Sequence, residues 1–307
     1  MSSFDPDALE CLAAIVEEGG FERAAVRLSI TQSAVSQRLR SLEAQVGTVL
    51  IVRSRPLKAT SAGQLLIKHT KQMRLLRADL ERDMKELAPQ GHGGSGTREE
   101  ERVAIAINAD SIATWALDAL GDLVREGLPL EIITDDQDFT QEWLRGGQVL
   151  GCVTTLKAAL RGCKVVPLGA MNYVAVSAGS MPPSGQFDPK SGLTAHNFRD
   201  VPFISFNRKD DLQSEFVAKA FGLKRVSLHQ LFVPSSQAQV RAVRESWGIS
   251  VLPQLSVQPM IDSGELINLL PSFALPVQLY WHCWNLESVV LDNLTHALAS
   301  SARQLLK

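Results

Sequence analysis

Cysteine is scarce and has no pattern: Cys11, Cys152, Cys163 and Cys283 are scattered through 307 residues without a C-x-x-C pair. That argues against a disulfide framework and against a zinc site, and fits a reducing cytoplasm. The six histidines are dispersed as well, with no H-E-x-x-H, so no bound metal is expected. No apolar run reaches the roughly 18–20 residues of a membrane span. The opening MSSFDPDALE is acidic and has no apolar h-region, so no signal peptide is visible and no membrane partner is expected. Also missing are G-x-S-x-G, a P-loop and a Cys–His nucleophile signal, which argues against an enzyme and against a cofactor.

What is present is an uneven charge. The net charge of −2 conceals residues 1–22 with six acids and no base, and residues 23–77 with eleven Lys or Arg against one acid, Glu43. Residues 91–307 hold 18 bases and 22 acids. A basic block near one end suggests a polyanionic partner, most often nucleic acid. Apolar residues make up 45% of the chain, enough for real cores in two or three domains.

The Gly-rich PQGHGGSGTREEE (89–101) divides the chain. A helical pattern precedes it and a charge run follows. A phosphate-binding loop needs a strand before and a helix after, so this stretch reads as a linker. Beyond it, apolar runs alternate with amphipathic segments. Strands are expected at 103–107, 130–134, 149–155, 165–168, 173–178, 202–206, 231–235, 248–253 and 277–284, with helices between most of them. That alternation argues an α/β fold with largely parallel sheets.

Before the linker, ALECLAAIVEEGG (8–20) sets Leu9, Leu12, Ala13 and Val16 on one helical face and stops at Gly19-Gly20. FERAAVRLS (21–29) is a short helix whose Ala24 and Ala25 allow close approach. Ser29-Ile30-Thr31 makes a turn with Thr31 as N-cap. QSAVSQRLRSLEAQVG (32–47) then carries an apolar stripe of Val35, Leu39, Leu42 and Val46. Its opposite face shows Gln32, Ser33, Ser36, Gln37 and Arg40. In a recognition helix Gln pairs with adenine and Arg with guanine, while Ser hydroxyls and helix-end N–H groups hold phosphates. A generic polar helix face would share that spacing. The next element narrows the choice: VLIVRSRPLKAT (49–60) reads as strand, Pro-containing turn and strand, a wing carrying Arg53, Arg55 and Lys58 toward the DNA backbone or minor groove. The candidate double-stranded DNA contacts are therefore Thr31, Gln32, Ser33, Ser36, Gln37, Arg40, Arg53 and Arg55.

Ser61-x-x-Gln64 spells a capping box, with Thr60 as the alternative cap, and opens a helix running to about residue 88. Leu66, His69, Met73, Leu76, Leu80, Met84 and Leu87 recur along it every three or four residues. Such a stripe can pack on its own chain. At 1.5 Å per residue, however, a helix about 40 Å long projects beyond a small domain, and pairing with a second copy is expected.

Behind the strand 103–107 comes NADSIATW (108–115), with Asn108, Asp110 and Ser111 where a strand gives way to a helix. Ligands of open α/β sheets bind at such strand ends, and a helix start offers N–H groups to an anion. The plainer alternative is that Asp110 or Ser111 only caps the helix.

FERAAVRLSITQSAVSQRLRSLEAQVG, the wing Arg53 and Leu57-x-x-Thr60-x-Ala62-Gly63 resemble the LysR-type transcriptional regulators. The resemblance implies an N-terminal winged helix-turn-helix (1–60), a dimerisation linker helix and hinge (61–99), and a two-subdomain periplasmic-binding-protein-like effector domain (100–307). Subdomain I would hold about 100–165 plus 270–307 and subdomain II about 166–269, the chain crossing near 166 and 268. GISVLP (248–253) is similar to the family's recurrent G-I-x-x-L-P strand. ITQSAVSQRLRSLE, AINADSIATW, SGELI (263–267) and LYWH (279–282) resemble the branch known as ArgP, LysG or IciA, which responds to lysine or arginine and controls export or metabolism of basic amino acids. The wing VRSRPLKATSAG is closer to the general family pattern than to that branch.

The resemblance puts a small-molecule effector, lysine or arginine, between the subdomains. Asn108, Asp110, Ser111, Thr154 and Thr155 would serve it from one side, Phe206 and the Ser235-Ser236 turn from the other. Thr154, Thr155, Ser235 and Ser236 have an alternative as ordinary caps, and Asp135, Asp136 and Asp138 as an exposed acidic loop. Tyr280 and Trp281 read as core. The stripe Leu66, Met73, Leu76, Leu80 and Leu87 would join a homodimer or homotetramer, with RNA polymerase a further partner. The alternative function within the branch is an architectural DNA binder that inhibits initiation of chromosome replication.

Overall fold

The computed structural model describes residues 4–52, 54, 57–87, 102–135, 140–179 and 187–306. The chain forms two compact units: Met1–Glu101 with Glu142–Leu150 and Leu286–Asp292, and Arg102–Gln141 with Gly151–Asn285 and Asn293–Lys307. The Gly-rich stretch expected to be a linker, Arg53, Arg55, Asp136 and Asp138 lie outside the described residues. No helix among the described residues is long and apolar enough to cross a membrane.

In the first unit, α1 (Pro6–Glu17) starts earlier than its apolar stripe suggested. Asp5 caps it, its side chain accepting from the Asp7 N–H, and Pro6 takes the first helical position, where a missing N–H costs nothing. α2 (Phe21–Arg27) and α3 (Gln32–Val46) follow. Leu9, Leu12, Ile15, Val35, Leu39 and Leu42 are buried in one core, each contributing about 1.5–3 kcal/mol of transfer free energy. Ala13 and Ala24 are fully buried there too. β1 (Ile51–Val52) and β2 (Lys58–Ala59) pair antiparallel, Ile51 opposite Ala59, and form the wing.

α4 (Ser61–Leu87) is the long helix. Its cap is Thr60, not Ser61. The Thr60 hydroxyl oxygen accepts from the Gly63 N–H and the Thr60 carbonyl from the Gln64 N–H, so Ser61 already lies inside the helix and no capping box forms on it. The Thr60 hydroxyl also donates to the Val49 carbonyl, tying cap to wing. Gly63 is where α4 crosses the chain entering the wing: a Cβ there would stand 2.2 Å from the Leu50 carbonyl oxygen.

The second unit is built on a seven-stranded sheet. β3 (Val103–Asn108) leads into α5 (Ala109–Ser111), a π-helical turn (Ile112–Ala116) and α6 (Leu117–Arg125) without a break. Then come β4 (Leu130–Asp135), α7 (Thr140–Arg145), β5 (Gly151–Thr154), β6 (Cys163–Ala178), β7 (Phe203–Ser205), α8 (Leu212–Phe221), β8 (Gln230–Phe232), α9 (Ser236–Arg244), β9 (Ser250–Pro253), α10 (Gln254–Asp262), β10 (Leu266–Asn268), β11 (Leu275–Trp284) and α11 (Val289–Leu305). The main path runs β10-β6-β11-β5-β3-β4, with β9 also on β6.

The expectation of largely parallel sheets fails here. β3 pairs parallel with β4 and β5, and β7 with β8, but every pair involving β6 or β11 is antiparallel. The cause is a strand that the residues disguise. The runs 165–168 and 173–178 are one 16-residue strand, β6. Pro167 and Gly169 ordinarily punctuate strands, but the register against β11 shifts between Leu279 and Tyr280, and this bulge absorbs them. Gly169 adopts φ +117, and a Cβ there would lie 2.9 Å from Leu306 Cβ. β10, which has no apolar alternation of its own, was not among the expected strands.

Candidate DNA-reading face and effector cleft

On α3, Thr31 is the N-cap: its hydroxyl accepts from the Ala34 N–H at 3.2 Å. Gln32, Ser33, Gln37 and Arg40 are exposed and Ser36 is half-buried, while Val35, Leu39 and Leu42 fill the opposite face. Thr31 and Ser33 share a hydroxyl hydrogen bond, and Gln32 Nε2 donates to Ser36 Oγ. The helix thus presents a pre-ordered row of donors and acceptors, as base-edge reading requires.

Much of the charge asymmetry is consumed inside this unit. Glu10 and Glu17 of α1 pair with Arg74 of α4, Glu17 also with Lys71 and Arg27, and Asp7 with Arg38. Burial alone would raise the Glu17 carboxyl; the Arg74, Lys71 and Arg27 charges outweigh it and hold Glu17 below its ordinary value. Among the described residues no acid pairs with Arg40 of α3 or Lys58 of the wing, so these cations face solvent uncompensated.

On α4, Met73, Leu76, Leu80 and Met84 are 42%, 42%, 59% and 56% exposed, a row at spacings of 3, 4 and 4. Leu66 departs from the expected seam because it packs on the α1–α3 core. The side chain of Leu87 is outside the described part of the helix.

In the second unit, Asn108, Ala109, Asp110, Phe206, Asp210 and Gln239 are among the residues lining a narrow cleft. The N-cap of the helix after β3 is Asn108, and its side chain makes no cap hydrogen bond. Asp110 and Ser111 are the second and third residues of the helix, so neither serves as the cap. The Asp110 carboxylate instead accepts from Tyr173 of β6 through Oδ2 at 2.8 Å and from Ser236 of α9 through Oδ1 at 2.5 Å. Burial pushes the Asp110 carboxyl up, the Ser236 and Tyr173 hydroxyls pull it back, and nearby Asp210 adds to the rise; the net direction is upward. Among the described residues no Lys or Arg pairs with Asp110. Asn108 is 2% exposed and its Oδ1 has no partner among the described residues.

The far wall is held by side chains engaged with backbone. Asp210 accepts from the Phe206 and Leu212 N–H groups, and Gln213 is doubly bonded to the backbone of Val251. Asp210, Gln213, Gln239 and Tyr173 were not expected at the site. Asp210 hides in the loop-like NRKDD, and Tyr173 in an apolar strand.

Other expected residues stand elsewhere. Thr154 is buried and donates to Gln141 Oε1 while accepting from the Leu156 N–H, which is the capping alternative. Thr155 does not line the cleft. Ser111 is buried with its Oγ unpartnered but is not a lining residue. Ser235 caps α9 by accepting from the Ala238 N–H, and it is the next residue, Ser236, that reaches Asp110. Trp281 is core, its Nε1 donating to Thr295.

A winged helix-turn-helix joined in one chain to a mixed α/β unit with a polar cleft defines a ligand-responsive DNA-binding protein. Residues 6–64 match the model for bacterial regulatory helix-turn-helix proteins of the lysR family, and residues 96–304 match the LysR substrate binding domain. The chain belongs to the LysR family and is a DNA-binding transcriptional regulator. It is 37% identical over 302 residues to the transcriptional regulator LysG of Mycobacterium bovis, covering 97% of this chain and 93% of that one. It is 39% identical over 303 residues to ArgP of Pseudomonas aeruginosa, covering 98% and 97%. Among solved structures it is similar to ArgP from Mycobacterium tuberculosis (TM-score 0.84, 35% identity, 100% and 99% covered). It is also similar to full-length LysG from Corynebacterium glutamicum with bound effector Arg (TM-score 0.74, 34% identity, 99% of each chain).

Proposed function

We propose that this regulator's DNA binding answers to a free basic amino acid, lysine or arginine, held in the Asp110 cleft. The observation that carries the reading is Asp110 itself: a carboxylate in a cleft, with Asp210 nearby and no cation paired to it among the described residues. A lysine or arginine side chain supplies the missing charge, and the arginine bound to LysG of Corynebacterium glutamicum supports that class of effector. The head 1–60 reads double-stranded DNA through Thr31, Gln32, Ser33, Ser36, Gln37 and Arg40, with the wing Arg53 and Arg55 on backbone or minor groove. The linker helix pairs two copies along Met73, Leu76, Leu80 and Met84, and residues 100–307 hold the effector. The regulator acts in the cytoplasm on genes for export or metabolism of basic amino acids, with RNA polymerase as a further partner.

Thermal shift of the full chain against the common amino acids tests this, since a ligand stabilises by RT ln(1 + [L]/Kd). Arginine or lysine at about 100 times Kd adds about 2.7 kcal/mol, and Asp110→Ala loses the shift. A shift with some other metabolite and none with basic amino acids overturns the reading.

A further inference from the structure

α7 and β5 are joined by a corner that closes on its own backbone. The Gly146, Gly147 and Gln148 N–H groups donate to the Glu142, Leu144 and Trp143 carbonyls, and Gly147 takes φ +67, the left-handed turn that commonly ends a helix. Glu142–Leu150 is counted in the first unit, although Gln141 before it and Gly151 after it belong to the second. Gly147 lies directly on the backbone of α4: a Cβ there would stand 2.6 Å from Lys68 Cβ and 2.9 Å from Lys68 Cα. The left-handed turn alone would admit Asn, but this contact has room only for glycine. One turn further along α4, Lys71 Nζ donates to the Gln148 carbonyl at 3.2 Å and pairs with Glu17 Oε1 of α1 at 3.4 Å. A single ammonium thus holds both the corner and the first helix of the head. The row Lys68, Lys71, Leu75 and Asp79, at spacings of 3, 4 and 4, is half-buried to buried and lies on a different face from the exposed Met73, Leu76, Leu80 and Met84. The corner and a second copy of the chain therefore do not contend for the same side of α4.

The other end of the six-residue α7 is fixed to β5. The Thr140 hydroxyl donates to the Val153 carbonyl, and the Thr154 hydroxyl to Gln141 Oε1. β5 in turn pairs parallel with β3, the strand that ends at Asn108 of the cleft. We propose that α7 and its corner are the mechanical coupling between the cleft strand and the linker helix: Gly147 seats the corner on α4, and Lys71 ties it to α1. DNA that orders the head holds Glu17, Lys71 and Gln148 in register, and the corner passes that constraint along α7 into β5. Coupling between two sites is reciprocal, so DNA at the head serves as the probe whatever the cleft binds.

Hydrogen exchange of the full-length chain, with and without a DNA duplex selected for binding from a random-sequence pool, tests this. In the unaltered chain, DNA should slow exchange at least about twofold across residues 142–154 as well as in α3. Gly147→Asn keeps the left-handed turn but drives a side chain against Lys68, and Lys71→Met removes the shared ammonium. Each variant should keep the DNA response of α3 and lose that of 142–154. Gly222→Asn is the matched control: it also replaces a glycine of positive φ, +66, at the end of a helix, but nothing lies within 4 Å of the added Cβ. It should respond as the unaltered chain does. No response at 142–154 in the unaltered chain, a response that survives in either variant, or its loss in the control overturns the coupling. Should Gly147→Asn fail to fold, Lys71→Met decides by itself.

Discussion

Asp110 carries a cost in the ligand-free protein that follows from its surroundings. Its carboxyl is raised above the ordinary 3.8 by burial, against two hydroxyl donors, with Asp210 adding to the rise. A carboxyl raised in the folded state binds its proton more tightly there than in the unfolded chain. Ionisation therefore destabilises the fold once pH exceeds the folded value, and does not below the unfolded one. Asp110→Asn should accordingly raise the melting temperature of the ligand-free chain at pH 7, and the gain should fade as pH is lowered toward 3.8. Melting curves across that range check it; a variant less stable at pH 7 would mean the two hydroxyls outweigh burial. On the DNA side, Arg40 is exposed on α3 with no acid partner among the described residues. If Arg40 holds a phosphate, Arg40→Ala should lower the slope of log affinity against log salt by about 1 and weaken all sequences alike. If it pairs with guanine, the loss should be about 1–3 kcal/mol and confined to one base position. Binding titrations at several salt concentrations on operator and scrambled duplexes distinguish the two, and no loss on either would remove Arg40 from the interface.

At the scale of elements, the joint between wing and linker helix depends on two residues of the sequence L-x-x-T-x-A-G. Thr60 caps α4 and bonds back to Val49, and Gly63 lets the helix pass against the Leu50 carbonyl. Gly63→Ala would set a methyl group 2.2 Å from a backbone oxygen that cannot swing aside. The expected cost is about 1–3 kcal/mol of head stability, outweighing the roughly 1 kcal/mol that Ala ordinarily gains over Gly in a helix. Chemical denaturation of the full chain followed in the head would measure it, and a neutral or stabilising outcome would show that α4 shifts freely. How far residues alone reveal elements is visible here. The recognition helix, its Thr31 cap and the wing were legible because each rests on local spacing or capping chemistry. The helix of β3's strand end was legible as well, but not its cap, since Asn108, Asp110 and Ser111 are all competent N-caps. β6 was split because Pro167 and Gly169 mark a break locally, and only the bulge against β11 makes one strand of it.

For the molecule as a whole, charge and apolar pattern act together. The basic block of 23–77 is partly neutralised by the acids of α1, and its pairs with Lys71 and Arg74 fasten α4 to the head. What α4 leaves uncovered is the row Met73, Leu76, Leu80 and Met84. If that row joins two copies, Leu80→Glu should shift the chain toward monomer in sedimentation and lower affinity for a two-half-site operator at least tenfold, through loss of the second head. A dimer that persists with normal operator affinity would move the interface elsewhere. By itself, the sequence determined the head, the order of strand and helix after it, and Asp110 as a charge at a strand end, because these follow from periodicity, capping and composition within a few residues. Only the tertiary structure decided that Tyr173 and Ser236 share that carboxylate, that Thr154 donates to Gln141 and that Ser235 is spent as the cap of α9. It alone brought Asp210 near Asp110. Tyr173, Asp210 and Ser236 stand 63, 100 and 126 positions from Asp110, and nothing in local spacing tells a polar side chain which distant strand end the sheet will set beside it.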